Sequence, residues 1–282
     1  MVIKRVGICG SGIMGSGIMQ VAASTGHDVV LRSRTTSAAE RTLQRLETTL
    51  DRQVEKGRIT PVERQDAITR VTITDELDGL ADCDLVIESI VEDLEAKKGL
   101  FLDLEEACKP DAILATNTST LPVVELAMAT KRPDQVCGIH FFNPAPAMSL
   151  VEVVRPITAS DATMEAAMAF AAKCGKRPVE VKDQAGFVVN ALLFPYLNNA
   201  IRLLETGVAS MEGIDTAMTG GCGFPMGPFA LLDLVGLDTS LAILEALHEE
   251  FGDPNFAPAP RLKRMVAAGH LGRKTGRGFF EH

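Results

Sequence analysis

The stretch Val6-Gly7-Ile8-Cys9-Gly10-Ser11-Gly12-Ile13-Met14-Gly15 decides the fold of this chain. It carries the spacing G-x-G-x-x-G between an apolar, strand-like run and a segment with helical periodicity. In such a turn the first glycine permits the bend, the second lets the backbone approach a diphosphate, and the third lets the helix pack on the strand. The free N–H groups at the helix N-terminus attract the phosphates. We therefore expect a dinucleotide to contact Gly10, Gly12, Ile13, Met14 and Gly15.

Short β-branched runs alternate with helical patterns through the first two thirds of the chain. We predict strands over residues 3–9, 27–31, 71–74, 85–90, 113–115, 136–142, 150–154 and 179–182. Helices are predicted over residues 13–24, 38–56 and 94–109. This alternation is typical of a parallel sheet with helices on both faces, and it argues against a chance glycine turn. The predicted class is α/β, with a Rossmann-type dinucleotide-binding domain.

The remainder of the chain has mainly helical patterns. We predict helices over residues 186–205, 211–219, 228–250 and 259–267. The change of pattern sets a domain boundary near Asp183. Residues 1–183 are expected to form the NAD(P)-binding domain and residues 184–282 an all-helical C-terminal domain, both of ordinary domain size.

The composition is that of a globular protein, with 282 residues of which 46% are apolar and 23% charged. There are 28 Lys and Arg against 37 Asp and Glu, which gives a net charge of −9. This acidic balance argues against a nucleic-acid or anionic-membrane partner, since either needs a basic face. The apolar runs are too short for a signal peptide or a membrane span. We expect a cytoplasmic protein.

The cysteines are scattered and form no C-x-x-C pair. This spacing favours reduced, mostly buried thiols over a disulfide framework or a zinc site, and no metal site is expected. The six residues are Cys9, Cys83, Cys108, Cys137, Cys174 and Cys222.

The end of the second predicted strand bears on the choice of dinucleotide. An NAD site normally has an acidic residue there to bind the ribose 2′-hydroxyl. This sequence instead has Arg32-Ser33-Arg34. Guanidinium groups suit a 2′-phosphate, so we predict NADP(H) in preference to NAD(H). The alternative is that Arg32 and Arg34 are solvated surface charges.

Two polar segments follow predicted strands and should face the same crevice as the glycine turn, because ligands bind at the carboxyl ends of strands in open α/β sheets. One is Thr116-Asn117-Thr118-Ser119, and the other begins at His140. Glu152 lies in an otherwise apolar strand and needs a partner when buried. A returning strand would set Glu152 beside His140, where it would hold one tautomer of the imidazole and stabilise its protonated form.

These segments resemble the 3-hydroxyacyl-CoA dehydrogenase family, most closely its single-function bacterial members that act on 3-hydroxybutyryl-CoA. The resemblance covers nearly the whole chain, and its motifs occur in the family's order. Besides the glycine turn they are Glu88-Ser89-Ile90-Val91-Glu92 with Lys97, Asn117-Thr118-Ser119, His140-Phe141-Phe142-Asn143-Pro144, Asp183-Gln184-Ala185-Gly186-Phe187-Val188-Val189-Asn190, Pro225-Met226-Gly227-Pro228-Phe229 and Leu271-Gly272-Arg273-Lys274-Thr275-Gly276-Arg277-Gly278-Phe279.

The resemblance implies a reaction and a role for each matching residue. The reaction interconverts a (3S)-3-hydroxyacyl-CoA and a 3-oxoacyl-CoA with a nicotinamide cofactor. His140 is implied as the general base and Glu152 as its orienting carboxylate. Ser119 and Asn190 are implied as polar contacts to the substrate 3-oxygen and to the histidine. The resemblance further implies that Glu92, Lys97, Asn117 and Asn143 line the nicotinamide half of the cofactor site, that Lys97 also approaches the substrate, and that Lys56 contacts the CoA phosphates.

The same resemblance implies a homodimer formed through the C-terminal domain. Ser33 departs from the family pattern, in which most members have an acidic residue, and this departure puts a preference for NAD in doubt. The basic segment Arg273-Lys274-Thr275-Gly276-Arg277 is interpreted as a structural turn, because no strand or helix follows to organise a phosphate loop.

Simpler interpretations stand beside these roles. Ser119 alone would be a helix N-cap, and Asn190 a mid-helix polar group facing solvent. Two other functions are considered for the chain. One is a related dehydrogenase of a free hydroxy acid or sugar acid on the same scaffold, and the other is a catalytically inactive protein that binds the cofactor in a structural role.

Overall fold

The computed structural model describes residues 2–282 and divides into two compact units, Met1–Asp183 and Gln184–His282. Each unit has a hydrophobic core of its own. The predicted fold class is confirmed, since the first unit is a sheet covered by helices and the second is helical.

The first unit alternates strands and helices along the chain. Its strands are β1 (Arg5–Cys9), β2 (Asp28–Arg32), β3 (Val71–Thr74), β4 (Leu85–Glu88), β5 (Ile113–Thr116), β6 (Val136–Phe141), β7 (Leu150–Arg155) and β8 (Arg177–Lys182). Its helices are α1 (Ile13–Ser24), α2 (Thr36–Glu55), α3 (Pro61–Thr69), α4 (Leu94–Ala107), α5 (Val123–Ala129) and α6 (Asp161–Lys173).

The eight strands form one sheet in the order β3-β2-β1-β4-β5-β6-β7-β8. The first six are parallel, and β7 returns antiparallel to β6. Strands β4, β5 and β6 are buried along their full length, as expected for parallel strands covered on both faces. The chain order reverses between β1 and β4, so ligands are expected at the carboxyl ends of these strands.

Three helices were not predicted from the sequence, namely α3, α5 and α6. Their start signals are nevertheless present. Thr60 and Glu63 form a capping box at α3 with Pro61 in the first turn, and Ser160 caps α6 by accepting from the N–H of Thr163. These helices are short or nearly uniform in apolar residues, so periodicity alone gives a weak signal.

The second unit contains five helices. They are α7 (Val189–Glu205), α8 (Met211–Cys222), α9 (Pro228–Val235), α10 (Leu237–Phe251) and α11 (Pro260–Ala267). The prediction of one helix over 228–250 is wrong, because the chain breaks at Gly236, where φ is 105°. An L-residue rarely adopts this conformation, so the glycine allows a sharp change of direction between α9 and α10.

The break lies beside the buried carboxylate of Asp233, which accepts from the N–H groups of Phe279 and Phe280 at 2.8 Å each. The basic segment 273–277 forms a short 3₁₀ turn in which Lys274 pairs with Asp238. Both acidic side chains therefore bind the C-terminal segment to the rest of the second unit, which agrees with its interpretation as a structural turn.

Five of the cysteines are buried, and Cys222 is exposed. Burial raises the pKa of Cys83 and Cys137 to about 12 and that of Cys108 and Cys174 to about 11. Such thiols stay protonated near neutral pH and are poor nucleophiles. Among residues 2–282, no helix combines the length and apolar character that crossing a bilayer requires.

Candidate active site

The glycine turn joins β1 to α1 through a tightly packed backbone. Gly10 has φ 124°, and a Cβ there would collide with the carbonyl group of Ser89. A Cβ on Gly15 would collide with the carbonyl oxygen of Gly10. These two glycines are therefore required by the protein's own packing.

Gly12 differs, because a Cβ there would meet no atom within 4 Å. It is the N-cap residue of α1 and contributes no side-chain cap, so the first N–H groups of the helix remain available to an anion. The first turn of α1 contains no acidic residue, and Ile13 is 76% exposed despite being apolar. The open space, the uncapped helix end and the exposed apolar side chain fit the diphosphate of a dinucleotide. Met14 follows Ile13 in this first turn and is partly buried.

The end of β2 combines two bases with a buried serine. Ser33 is buried, and its hydroxyl lies 2.7 Å from that of Ser11 in the glycine turn. Arg34 is exposed. Arg32 donates from Nε to the main-chain carbonyl oxygen of Asp75 at 3.2 Å. Asp75 follows the neighbouring strand β3.

Asp75 was not predicted as a site residue, because it follows β3 and is distant in sequence from the end of β2. Its carboxylate accepts from the hydroxyl of Thr36 at 2.7 Å. This hydrogen bond lowers the pKa of Asp75, with a smaller contribution from Arg32. The end of β2 thus has an acidic neighbour supplied by another strand.

His140 and Glu152 face one another across the antiparallel pair β6–β7, where they are direct partners in the strand register. Nδ1 of His140 lies 2.8 Å from Oε2 of Glu152, and both side chains are buried. Nε2 of His140 lies 3.2 Å from Oγ of Ser119, which is in the loop after β5. The β6–β7 hairpin and the loop after β5 therefore bring a carboxylate, an imidazole and a hydroxyl together in a chain of hydrogen-bonding groups.

This series suits proton transfer at Nε2. A carboxylate at Nδ1 fixes the tautomer with its proton on Nδ1 and stabilises the imidazolium after Nε2 is protonated. Ser119 is not a helix N-cap, since α5 begins later, with Pro122 as its N-cap. The simpler interpretation of Ser119 is therefore wrong.

Asn117 and Asn143 belong to the loops that follow β5 and β6. The side-chain oxygen of Asn117 accepts from the N–H of Phe141 at 2.8 Å, which ties the loop after β5 to the end of β6. Asn143 is exposed and precedes Pro144 through a cis peptide bond. Phe142 packs on His140 with ring centroids 4.5 Å apart.

A buried ion pair joins the end of β4 to helix α4. Lys97, 1% exposed, donates from Nζ to both carboxylate oxygens of Glu88 at 2.6 and 2.8 Å. The same ammonium lies 3.2 Å from Oε2 of Glu92. Glu92 in turn accepts from the hydroxyl of Thr118 and from the N–H of Ser119.

The ammonium of Lys97 is directed at two carboxylates, and its expected approach to the substrate stays a prediction. Glu88, Thr116 and Thr118 were not predicted as site residues. For Glu88 the sequence did contain a signal, because a glutamate ends an otherwise apolar strand. The same kind of signal identified Glu152.

Two of the predicted site residues belong to other elements of the fold. Lys56 is exposed at the C-terminal end of α2. Asn190 lies in the second unit, in the first turn of α7, and is 7% exposed. It is neither mid-helix nor facing solvent, so the simpler interpretation of Asn190 is also wrong.

Family models match both units of the chain. The model described as 3-hydroxyacyl-CoA dehydrogenase, NAD binding domain, matches residues 5–184. The model described as 3-hydroxyacyl-CoA dehydrogenase, C-terminal domain, matches residues 186–282. The chain belongs to the 3-hydroxyacyl-CoA dehydrogenase family. The resemblance drawn from its motifs is thereby confirmed, and the NAD binding domain indicates a nicotinamide dinucleotide as cofactor.

Individual members of the 3-hydroxyacyl-CoA dehydrogenase family are similar over their full length. The 3-hydroxybutyryl-CoA dehydrogenase of Clostridioides difficile is 46% identical over 278 residues, which cover 99% of each chain. The crystal structure of FadB2 from M. tuberculosis has a TM-score of 0.97 at 44% identity and covers 100% of both chains. That of (S)-3-hydroxybutyryl-CoA dehydrogenase PaaH1 from Ralstonia eutropha has a TM-score of 0.97 at 41% identity and covers 99% of both chains.

Proposed function

We propose that this chain is a dehydrogenase that interconverts (3S)-3-hydroxyacyl-CoA and 3-oxoacyl-CoA, with 3-hydroxybutyryl-CoA and acetoacetyl-CoA as its substrate pair. The observation that carries the proposal is the series Glu152–His140–Ser119 at the carboxyl edge of the sheet. The glycine turn opens at the same edge of the sheet, as hydride transfer between a cofactor and a substrate requires.

In the oxidative direction, Nε2 of His140 takes the proton of the substrate 3-hydroxyl. Glu152 holds the Nδ1 proton and stabilises the resulting imidazolium. A bound nicotinamide would supply the hydride chemistry at C3 of the substrate. In the reductive direction the imidazolium donates its Nε2 proton to the developing alkoxide. General acid–base assistance of this kind contributes about 10²–10⁴-fold to the rate.

Ser119 and the second unit complete the proposed substrate contacts. The Ser119 hydroxyl, within hydrogen-bond distance of Nε2, is assigned to bind the substrate 3-oxygen as the proton moves. Asn190 is assigned as a further polar contact to the substrate. Asn117, Asn143, Glu92 and Lys97 are assigned to the nicotinamide half of the cofactor site.

For the cofactor we propose NADP(H) in preference to NAD(H). Arg34 is exposed and Arg32 is only partly buried at the end of β2, so both guanidinium groups are available to a 2′-phosphate. Ser33 replaces the acidic residue that would repel this phosphate. Asp75 opposes the preference in part, because its carboxylate adds negative charge nearby.

A basic stripe on α2 supports a phosphate-bearing substrate. We define this stripe as Arg41, Arg45, Arg52 and Lys56, which lie within about 60° of one another around the helix and span about 22 Å. None of the four pairs with an acidic side chain in the described part of the chain. Arg41–Arg45 and Arg52–Lys56 are like-charge pairs four residues apart, an arrangement that costs the helix stability. The stripe is assigned to the phosphates of CoA.

We further propose that the protein is cytoplasmic and that it forms a homodimer through its second unit. Apolar side chains on α7 and around α8 are exposed in the single chain, among them Leu192, Leu203, Val208 and Phe224. Exposed apolar side chains of this kind are typical of subunit interfaces. Light scattering should give twice the 30.2 kDa chain mass.

The test of substrate class compares acetoacetyl-CoA with free acetoacetate, each with NADPH and with NADH. We expect kcat/KM for the thioester to exceed that for the free acid by at least about 10²-fold, because binding of the CoA portion contributes to transition-state stabilisation. Reduction with NADPH should be preferred. Equal rates for thioester and acid would favour the free-acid dehydrogenase, and a preference for NADH would refute the cofactor argument. No turnover with either cofactor would favour the inactive binding protein.

A further inference from the structure

Glu88 occupies a central position among the loops of the candidate site. It ends β4 and is fully buried. In the sheet it pairs with Cys9, which precedes the glycine turn, and with Thr116, which precedes the Ser119 loop. Its main-chain oxygen accepts from the N–H of Asn117 at 2.9 Å.

Both oxygens of the Glu88 carboxylate are fully used. Oε1 accepts from Nζ of Lys97 and from the N–H of Ile90, each at 2.6 Å. Oε2 accepts from Nζ of Lys97 at 2.8 Å and from the hydroxyl of Thr116 at 2.7 Å. The carboxylate therefore fixes the ammonium of Lys97 in one position.

From Lys97 a continuous series of contacts leads to the histidine. The ammonium lies 3.2 Å from Oε2 of Glu92, whose other oxygen accepts from the N–H of Ser119 at 2.9 Å. The hydroxyl of Ser119 lies 3.2 Å from Nε2 of His140. Glu92 is itself partly exposed, and its position is set by the buried ammonium together with the Thr118 hydroxyl and the N–H of Ser119.

Stability alone is a weak reason for such a pair. Burying two charges costs about as much as their attraction returns, and well-packed apolar side chains of similar volume often stabilise a fold as well or better. The contacts of Glu88 with the loop after β4, with helix α4 and with the end of β5 favour a role in holding these three segments in register with one another.

We propose that Glu88 is a positioning residue, which acts through Lys97 and Glu92 to hold Ser119 against His140. The proposal rests on the dehydrogenase function proposed above. Without the charge of Glu88, the ammonium of Lys97 pairs with Glu92 alone and draws that carboxylate away from the N–H of Ser119. The hydrogen bond between Ser119 and His140 then loses its fixed geometry, and proton transfer slows.

The test uses Glu88→Gln, which keeps the size of the side chain and removes its charge. We expect kcat for acetoacetyl-CoA reduction to fall by about tenfold or more with little change in KM, because a small displacement of a catalytic group has a large effect on rate. The second readout is the ¹⁵N spectrum of the His140 imidazole in the cofactor-free protein, where the signal of Nε2 should shift. This spectrum tests whether Glu88 positions Ser119 against His140 even if the substrate is misassigned.

Asp84→Asn is the matched control. Asp84 immediately precedes β4, at the opposite end of the same strand, and it also pairs with a lysine and two backbone N–H groups. This variant should lose stability but retain kcat and the His140 spectrum. A Glu88→Gln variant with wild-type kcat and an unshifted Nε2 signal would overturn the proposal.

The double variant Glu88→Gln/Lys97→Met covers the case in which the single variant does not fold. It leaves no uncompensated charge in the buried pair, so the fold should be retained. If Glu88 positions the site, the double variant still has reduced kcat and a shifted Nε2 signal. Recovery of both wild-type values would mean that the pair serves folding alone, and the proposal would be wrong.

Discussion

At the scale of single residues, the glycines of one turn lack side chains for different reasons. Gly10 and Gly15 are required by the protein's own backbone, which a Cβ would strike. Gly12 faces open space, so nothing within the chain explains its lack of a side chain. We propose that this space admits the diphosphate of the dinucleotide, which would approach the backbone there.

We predict that Gly12→Ala leaves the free energy of unfolding within about 1 kcal/mol of wild type, because φ −71° and ψ −172° suit alanine. The cofactor Kd, measured by fluorescence titration of the reduced dinucleotide, should rise by at least about tenfold, since the methyl group occupies the space of the diphosphate. Gly15→Ala is the comparison and should destabilise the fold. Unchanged cofactor affinity in Gly12→Ala would show that the diphosphate does not approach this position.

Site residues that stand out chemically from their sequence neighbours were predictable from the sequence. His140 and Glu152 stand out because a carboxylate in an apolar strand needs a partner, and the strand register joins them. The partners of Lys97 and the proximity of Asp75 to Arg32 were not predictable in the same way. Both depend on which loops meet after neighbouring strands, and this is set by the packing of the whole sheet.

At the scale of elements, the parallel strands were predictable because they are short, almost wholly apolar runs between turns. The break at Gly236 was not, because the apolar periodicity continues from α9 into α10 and hides it. His27 shows a further consequence of element packing. It lies between α1 and β2, fully buried, with its ring against Phe170 at a centroid distance of 5.1 Å.

His27 should make the stability of the fold sensitive to acid. Burial lowers its pKa, and the charge of Lys173 lowers it further. The unfolded chain therefore binds a proton at a pH where the folded chain does not, so the free energy of unfolding falls as the pH drops below the unfolded pKa of about 6.5.

We expect His27→Gln to reduce the loss of unfolding free energy between about pH 7.5 and about pH 5, measured by urea denaturation. The control is His248→Gln, at a partly exposed histidine in the second unit. The expectation fails if His27→Gln and wild type lose the same free energy over this range.

At the scale of the whole molecule, the net charge of −9 conceals a local concentration of positive charge. The basic stripe on α2 and the two arginines after β2 lie in the first unit, where the anionic cofactor and substrate are proposed to bind. Composition correctly described an acidic protein, but only the helical spacing of Arg41, Arg45, Arg52 and Lys56 identifies a surface suited to phosphates.

We propose that the protein is a dehydrogenase in which His140 transfers the proton. The most direct measurement is kcat for acetoacetyl-CoA reduction by His140→Gln beside wild type, with the cofactor Kd measured in parallel. We expect kcat to fall by at least about 10²-fold while the Kd changes little, because the imidazole acts on the substrate proton and not on cofactor binding. A His140→Gln enzyme that retained kcat within a few-fold of wild type would contradict this proposal.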